Sequence, residues 1–301
     1  MSKTLLVIAG PTAVGKTDLC VRLAQQLNTE VISADARQFY CELNIGTAKP
    51  TKNELQGVPH HFIDSHSIAE LYSAGAFERD ALARLQEIFS RKDVAILTGG
   101  SGLYLKAVCE GLDELPETSP DLRAALMQRL QTDGLATLQA QLQTLDPLYV
   151  AHNDLQNSQR VVRALEVCLT TGQPFSSFRV RKAAIRPFKI VQIALERPRE
   201  ELYARIDARM DIMLERGLVE EARGLLAYRH HNALQTVGYK EVFDHLDGIY
   251  DYPEMVRLLK RNSRHYAKRQ STWFRHQGNF EWFQADDFDA VLKRCAESFP
   301  T

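Results

Sequence analysis

The chain has 301 residues, 45% of them apolar and 25% charged, with a formal net charge of −1. That is ordinary globular composition, long enough for a sizeable core and for one large or two moderate domains, and it excludes low-complexity and membrane-spanning chains. The five cysteines (Cys20, Cys41, Cys109, Cys168, Cys295) are scattered with no CxxC pair, which excludes a zinc ribbon and reads as reduced thiols of a cytosolic protein.

Thr4 to Ala9 is an apolar run that ends in Gly10-Pro11. It is too short for a secretory segment and reads as a buried strand. Gly10-Pro11-Thr12-Ala13-Val14-Gly15-Lys16-Thr17 fits G-x-x-x-x-G-K-[ST], the phosphate-cradling loop. Asp18 to Leu27 follows as a helix, with Leu19, Leu23 and Leu27 on one face. The glycines let several amides aim at one anion, and the helix start adds partial positive charge there. Lys16 supplies a full charge. Thr17 supplies a hydroxyl for a phosphate or for Mg²⁺.

Glu30 to Ser33 reads as a second strand ending at Asp35. Phe77, Ala81, Leu85 and Ile88 repeat at helical spacing after Ser73, a fitting N-cap. Val94 to Thr98 is a further buried strand, then the Gly99-Gly100 turn and a helix over Leu103 to Cys109. This pattern is an α/β fold with an open parallel sheet, in which ligands sit beyond the C-terminal strand ends. The loop, Asp35 and Ser101 therefore share one crevice. From about Pro116 to Lys182 the chain reads as helix only: Asp121 to Leu130, Leu135 to Leu145, and Ser158 to Thr170 closed by Gly172. A strand returns at Lys189 to Leu195, and a helix runs from Arg199 to Arg216 with Gly217 as its stop. The simplest organisation is a P-loop α/β core formed by 1–115 and 184–301, interrupted by an all-helical domain at 116–183.

Chemistry follows from position. Asp35, at a strand end beside the loop, suits a Mg²⁺ ligand or a general base, and equally a turn-capping aspartate. The strand ending in Thr98-Gly99-Gly100-Ser101 lacks the carboxylate that orders Mg²⁺ in many phosphate-loop hydrolases. This disfavours a motor or switch and leaves kinases and other transferases. Arg205, Arg209 and Arg216 fit either a diphosphate clamp or a solvated face. Met255 to Phe274 reads as a basic helix: from Arg257 to Arg275 there are seven Lys or Arg residues and no acid. Arg257, Arg261, Arg264 and Lys268 are expected on one face, with His265, Tyr266, Trp273 and Phe274 interleaved. Such a stripe suits RNA phosphates and stacked bases.

Taken in order, these motifs resemble the tRNA dimethylallyltransferase family along almost the whole chain. Gly10 to Thr17 resembles its GPTxxGKT. Ser33 to Tyr40, Asn44 to Pro50, Pro59 to Asp64, Gly99 to Tyr104, Gln159 to Glu166 and Val237 to Glu241 follow in family order. So does Ala267-Lys268-Arg269-Gln270-x-x-Trp273-Phe274.

The resemblance implies transfer of a dimethylallyl group from dimethylallyl diphosphate to N6 of the adenine 3′ of a tRNA anticodon, with Mg²⁺ as cofactor. It implies catalytic roles for Asp35 as base, Ser101 (where the family often has Thr) and Arg209 on the diphosphate. It implies tRNA contacts from Asp35, Ala36, Arg37, Gln38, Ser101 and Arg123. The segment Gln159, Arg160, Val161, Val162, Arg163 is expected to grip the anticodon stem-loop, as is Gln235, Thr236, Val237, Gly238, Tyr239, Lys240. The expected protein is a cytoplasmic monomer with no membrane partner. Rival readings are an adenylate isopentenyltransferase, a small-molecule P-loop kinase, and an RNA-binding protein with a structural nucleotide.

Overall fold

The computed structural model describes residues 3–179 and 183–299. It divides the chain into two compact units, Met1–Glu110 with Ile185–Thr301, and Gly111–Ala184. Residues 180–182, part of the expected insert, lie outside the described residues. The chain begins with β1 (Thr4–Ala9), α1 (Lys16–Gln26), β2 (Val31–Ser33), α2 (Lys52–Leu55), β3 (His60–His61), α3 (Ala74–Phe89), β4 (Val94–Gly99) and α4 (Gly102–Glu110). The second unit holds α5 (Pro120–Thr132), α6 (Leu135–Leu145), α7 (Pro147–His152) and α8 (Ser158–Thr171). The first unit resumes with β5 (Lys189–Glu196), α9 (Arg199–Glu215), α10 (Leu218–Gly224), α11 (Tyr239–Leu246), α12 (Tyr252–His276), β6 (Glu281–Gln284) and α13 (Phe288–Ala296).

The strands form one six-stranded sheet in the order β3-β2-β4-β1-β5-β6, with every pairing parallel. All six residues of β1 are buried, because helices cover both faces and the strand is central. Alternate residues serve opposite layers. Leu5, Val7 and Ala9 join Ala95 and Leu97 in one core, while Leu6 and Ile8 join Ile96, Val191 and Ile193 in the other. The result is the expected α/β architecture with a P-loop-like core.

Local chemistry sets the boundaries. The Ser73 hydroxyl accepts from Ala76 N–H at 3.1 Å and opens α3 as expected. Gly217, at φ 96°, ends α9. The sequence reading missed β3 and β6, which span only two and four residues, too few to show alternation.

The helical unit has its own core, in which Val161, Val162 and Leu165 of α8 pack with Leu126, Leu138, Leu142, Tyr149 and Phe175. Asp146 is wholly buried there. Its carboxylate accepts from Tyr149 N–H at 2.9 Å, capping α7, and from Ser176 N–H at 2.6 Å and Ser176 Oγ at 2.8 Å.

Candidate active site

The turn after β1 has the geometry that its sequence demands. Gly15, at φ 115°, reverses the chain so that α1 starts at Lys16. The Lys16 ammonium folds back over the turn and donates to the Gly10 and Pro11 carbonyls, at 2.9 Å each. Cations from beyond β5 brace the same turn. Arg197 Nε donates to the Val14 carbonyl at 2.7 Å, Arg205 Nε donates to the Ala13 carbonyl at 2.9 Å, and Arg209 donates to the Thr12 hydroxyl. Loss of solvent around the Lys16 ammonium pulls its pKa down to about 8, with Asp35 opposing the shift and Arg209 adding to it. Burial likewise lowers Arg209, against the pull of the Asp35 carboxylate. Asp35 thus shares one electrostatic neighbourhood with both cations.

Asp35 lies just past β2. Its Oδ1 accepts from Arg37 N–H at 2.9 Å and from Gln38 N–H at 3.3 Å, an aspartate-capped turn. Both roles weighed for this residue are therefore open to it at once, because Oδ2 keeps no protein hydrogen bond among the described residues. Ser101 Oγ accepts from Ala36 N–H at 2.9 Å, which joins the ends of β2 and β4. Gln38 Nε2 reaches across to the Thr47 and Ala48 carbonyls at 3.2 and 3.3 Å.

That 44–48 segment is itself anchored. The Glu221 carboxylate of α10 accepts from Asn44, Ile45 and Gly46 N–H at 3.2, 2.8 and 2.9 Å, and from the Tyr239 hydroxyl at 2.6 Å. Tyr239 is wholly buried. Of the expected tRNA-contact segment, Gln235, Thr236, Val237 and Lys240 face the cavity, whereas Gly238 and Tyr239 build the fold beneath it.

A cavity of about 660 Å³ opens beside Asp35, Ala36, Arg37 and Ser101, and Arg261, Asn262, His265, Tyr266 and Arg269 of α12 form one wall. Tyr266 was legible only as an interleaved aromatic. It stands close to Asp35 and Ser101, and loss of solvent around its phenol pushes the pKa up to about 12. Arg37 Nε is buried with no hydrogen-bond partner among the described residues. A buried orphan donor on a cavity wall is costly unless a ligand meets it.

The basic helix needs a correction. Arg257, Arg261, Arg264 and Lys268 do not act as one free face. Arg264 pairs with Asp207 at 2.6 Å and Lys260 with Asp211 at 2.6 Å, both acids on α9, while Arg257 pairs with Glu254 at 2.6 Å. A helix packed alongside, invisible in a single-segment reading, neutralises Arg264 and the neighbouring Lys260, while Glu254 of the same helix neutralises Arg257. What faces the cavity is Arg261, His265, Tyr266 and Arg269.

In the helical unit, Glu166 is 1% exposed and accepts from Arg123 at 2.9 Å and from Arg163 at 3.2 Å. Gln159 Oε1 accepts from the other Arg123 nitrogen at 2.9 Å. Gln159 and Arg160 are exposed, while Arg123 and Arg163 are half-buried. Val161 and Val162, expected among the tRNA contacts, are wholly buried. Their side chains pack the unit's core and present nothing to a ligand.

Comparison with known proteins adds a family to this geometry. The IPP transferase family model matches residues 38–277. A tRNA dimethylallyltransferase of Cytophaga hutchinsonii is 52% identical over 291 residues, covering 97% of this chain and 96% of that protein. The tRNA dimethylallyltransferase 1 of Bacteroides thetaiotaomicron is 44% identical over 290 residues, covering 96% and 94%. Among solved structures, the full-length tRNA isopentenylpyrophosphate transferase of Bacillus halodurans superposes with a TM-score of 0.71 at 40% identity, covering 98% of this chain and 95% of that one. A eukaryotic dimethylallyltransferase, described as acting on tRNA, gives a TM-score of 0.78 at 27% identity, covering 98% and 77%.

Proposed function

Because the chain belongs to the IPP transferase family, that of the tRNA dimethylallyltransferases, we propose that it carries dimethylallyl from dimethylallyl diphosphate to N6 of the adenine 3′-adjacent to the anticodon of tRNA, releasing diphosphate. The observation that supports this reading is the Asp35 carboxylate set between two features: the cation-braced turn on one side and the cavity on the other.

The exocyclic amine is a weak nucleophile, because its lone pair is delocalised into the ring. In this reading Asp35 Oδ2 accepts the N6 proton as the new N6–C1 bond forms and the C1–O bond to diphosphate breaks. The leaving oxygens gain charge, and the amides of Ala13 to Thr17, Lys16 and Arg209 meet it. Ser101, with its oxygen already fixed by Ala36 N–H, orients the base with Tyr266 beside it. The target base leaves its stack to reach Asp35. Arg37, Arg261, Arg269 and Lys240 take phosphates at the cavity mouth, and Arg123, Gln159, Arg160 and Arg163 serve the anticodon stem-loop.

Mg²⁺ fits the donors in one way only. No group of three or more His, Cys, Asp or Glu converges among the described residues, so no all-protein cage exists there. Thr17 would hold the ion together with substrate oxygens and water, which is how Mg²⁺ is usually bound. When bound, it screens the diphosphate charge.

No helix among the described residues is long and apolar enough to cross a membrane. We place the protein with its tRNA in the cytoplasm, as a monomer. The test supplies labelled dimethylallyl diphosphate with unmodified tRNA, then with AMP. Label on tRNA alone is the expected outcome. Label on AMP, or phosphate transfer from ATP, supports the nucleotide prenyltransferase or the kinase instead, and binding without transfer supports an RNA-binding protein.

A further inference from the structure

We propose that Gln270 is a positioning residue that couples the anion-binding turn to the RNA-facing cavity, an inference that rests on the reaction proposed above. Gln270 is 7% exposed and uses both ends of its amide. Its Oε1 accepts from Thr12 N–H at 2.9 Å, and its Nε2 donates to the Gly100 carbonyl at 2.9 Å. One side chain thus joins the turn after β1 to the turn after β4. The fit leaves no slack, since a Cβ on Gly100 would collide with Gln270 Nε2, and one on Gly102 with the Trp273 ring. Thr12 is gripped from its other side by Arg209, which donates to its hydroxyl.

The position of Gln270 on α12 gives the bridge its meaning. Tyr266, Gln270 and Phe274 are spaced i, i+4, i+8 and lie on one stripe of the helix. Tyr266 walls the cavity, Gln270 holds the turn, and Phe274, 1% exposed, is set in the core. Arg269, the neighbour of Gln270 in sequence, lines the same cavity as Tyr266. The helix is unbroken over 25 residues, so a shift at the cavity wall is carried to Thr12 instead of being absorbed. A base pressing on Tyr266 and Arg269 therefore sets Thr12, and with it the aim of the amides that follow. Gln270 also removes the Thr12 amide from the donors that an anion can use. The segment Ala267-Lys268-Arg269-Gln270-x-x-Trp273-Phe274, otherwise only partly explained by the reaction, gains a purpose for its glutamine.

Coupling is reciprocal, so each substrate must tighten the other by the same factor. The measurement is the affinity of inorganic pyrophosphate with Mg²⁺, with and without a saturating unmodified anticodon stem-loop. In the parent protein we expect about a tenfold gain. In Gln270→Met, which fills the space without either hydrogen bond, the ratio should fall toward one and kcat should fall with it, while RNA affinity measured alone stays near the parent value. Gln270→Glu keeps the acceptor for Thr12 and loses the donor to Gly100, so its ratio should lie between the two. It also serves if Gln270→Met folds poorly. A purely structural role would lower thermal stability and leave the ratio unchanged. A parent ratio of one, or an unchanged ratio in both variants, overturns the proposal. If the parent still transfers dimethylallyl to tRNA in that case, only this inference fails; if it transfers none, the underlying reading fails.

Discussion

Arginines brace both units, but against different acceptors. At the turn after β1, Arg205 donates to a backbone carbonyl and Arg209 to a hydroxyl. Neither acceptor carries charge, so each guanidinium is oriented without being neutralised. In the helical unit, Arg123 and Arg163 share the buried Glu166 carboxylate, which orients them and cancels part of their charge. At a few ångströms a unit charge contributes about 1 kcal/mol in water and several times that where water is excluded. A site braced by neutral acceptors therefore holds its field for an incoming anion. A site braced by a carboxylate holds shape first and charge second.

The sharpest test of the first arrangement removes Asp35, the acid whose charge both Lys16 and Arg209 feel. Asp35→Ala should reduce turnover by roughly 10²–10⁴ while tRNA still binds, read by single-turnover transfer and by a separate binding titration. An unchanged rate would take Asp35 out of the chemistry.

The second test uses pH. The Lys16 ammonium loses its proton near pH 8 in the free protein because burial disfavours the charged form. A bound diphosphate favours that form and raises the pKa. Pyrophosphate affinity should therefore fall by up to about tenfold per pH unit above about 8, with proton uptake on binding, and should be flat with respect to this group below it. Calorimetry at pH 9 in buffers of different ionisation enthalpy reads the proton directly; none taken up would contradict the assignment. Folding has the opposite sign. The depressed pKa means that the unfolded chain holds the extra proton between about 8 and the ordinary 10.5, so this group's penalty on stability is relieved as pH rises through that window.

The smallest effect belongs to the other unit. Glu166→Gln should destabilise the helical unit by about 1–3 kcal/mol, because a buried acceptor of two guanidinium groups is weakened. Hydrogen exchange in α8 should rise while β1 stays protected. Two less neutralised arginines should also steepen the salt dependence of tRNA binding. An unaltered slope would place Arg123 and Arg163 away from phosphate.

The same contrast explains what could be read from the chain. The turn after β1 was legible because its chemistry is local: a strand, two glycines, Lys16 and Thr17 in one run. The placement of Asp35 and Ser101 followed from the rule for parallel sheets. Tyr266, Gln270 and Glu221 were not assigned, because each acts on residues far away in sequence. Gln270 meets Thr12 across 258 positions, and Glu221 meets Ile45 across 176. The stripe on α12 was misjudged for the same reason, since Asp207 and Asp211 are supplied by another helix. Val161 and Val162 show the limit of motif transfer. A run of matched positions includes some whose side chains pack the core.

The carboxylate of Glu221 has one more consequence. Successive amides of Asn44, Ile45 and Gly46 converge on it, and such a convergence makes a hollow for negative charge in its own right. Glu221 thus stoppers this hollow with the protein's own side chain, whereas the turn after β1, the other candidate anion hollow among the described residues, is braced by arginines at its carbonyls. A phosphate approaching 44–46 would meet the Glu221 carboxylate, so anion binding is expected at the turn after β1 instead. An inhibitor built as a bare diphosphate mimic inherits that discrimination from the protein without needing any of its own.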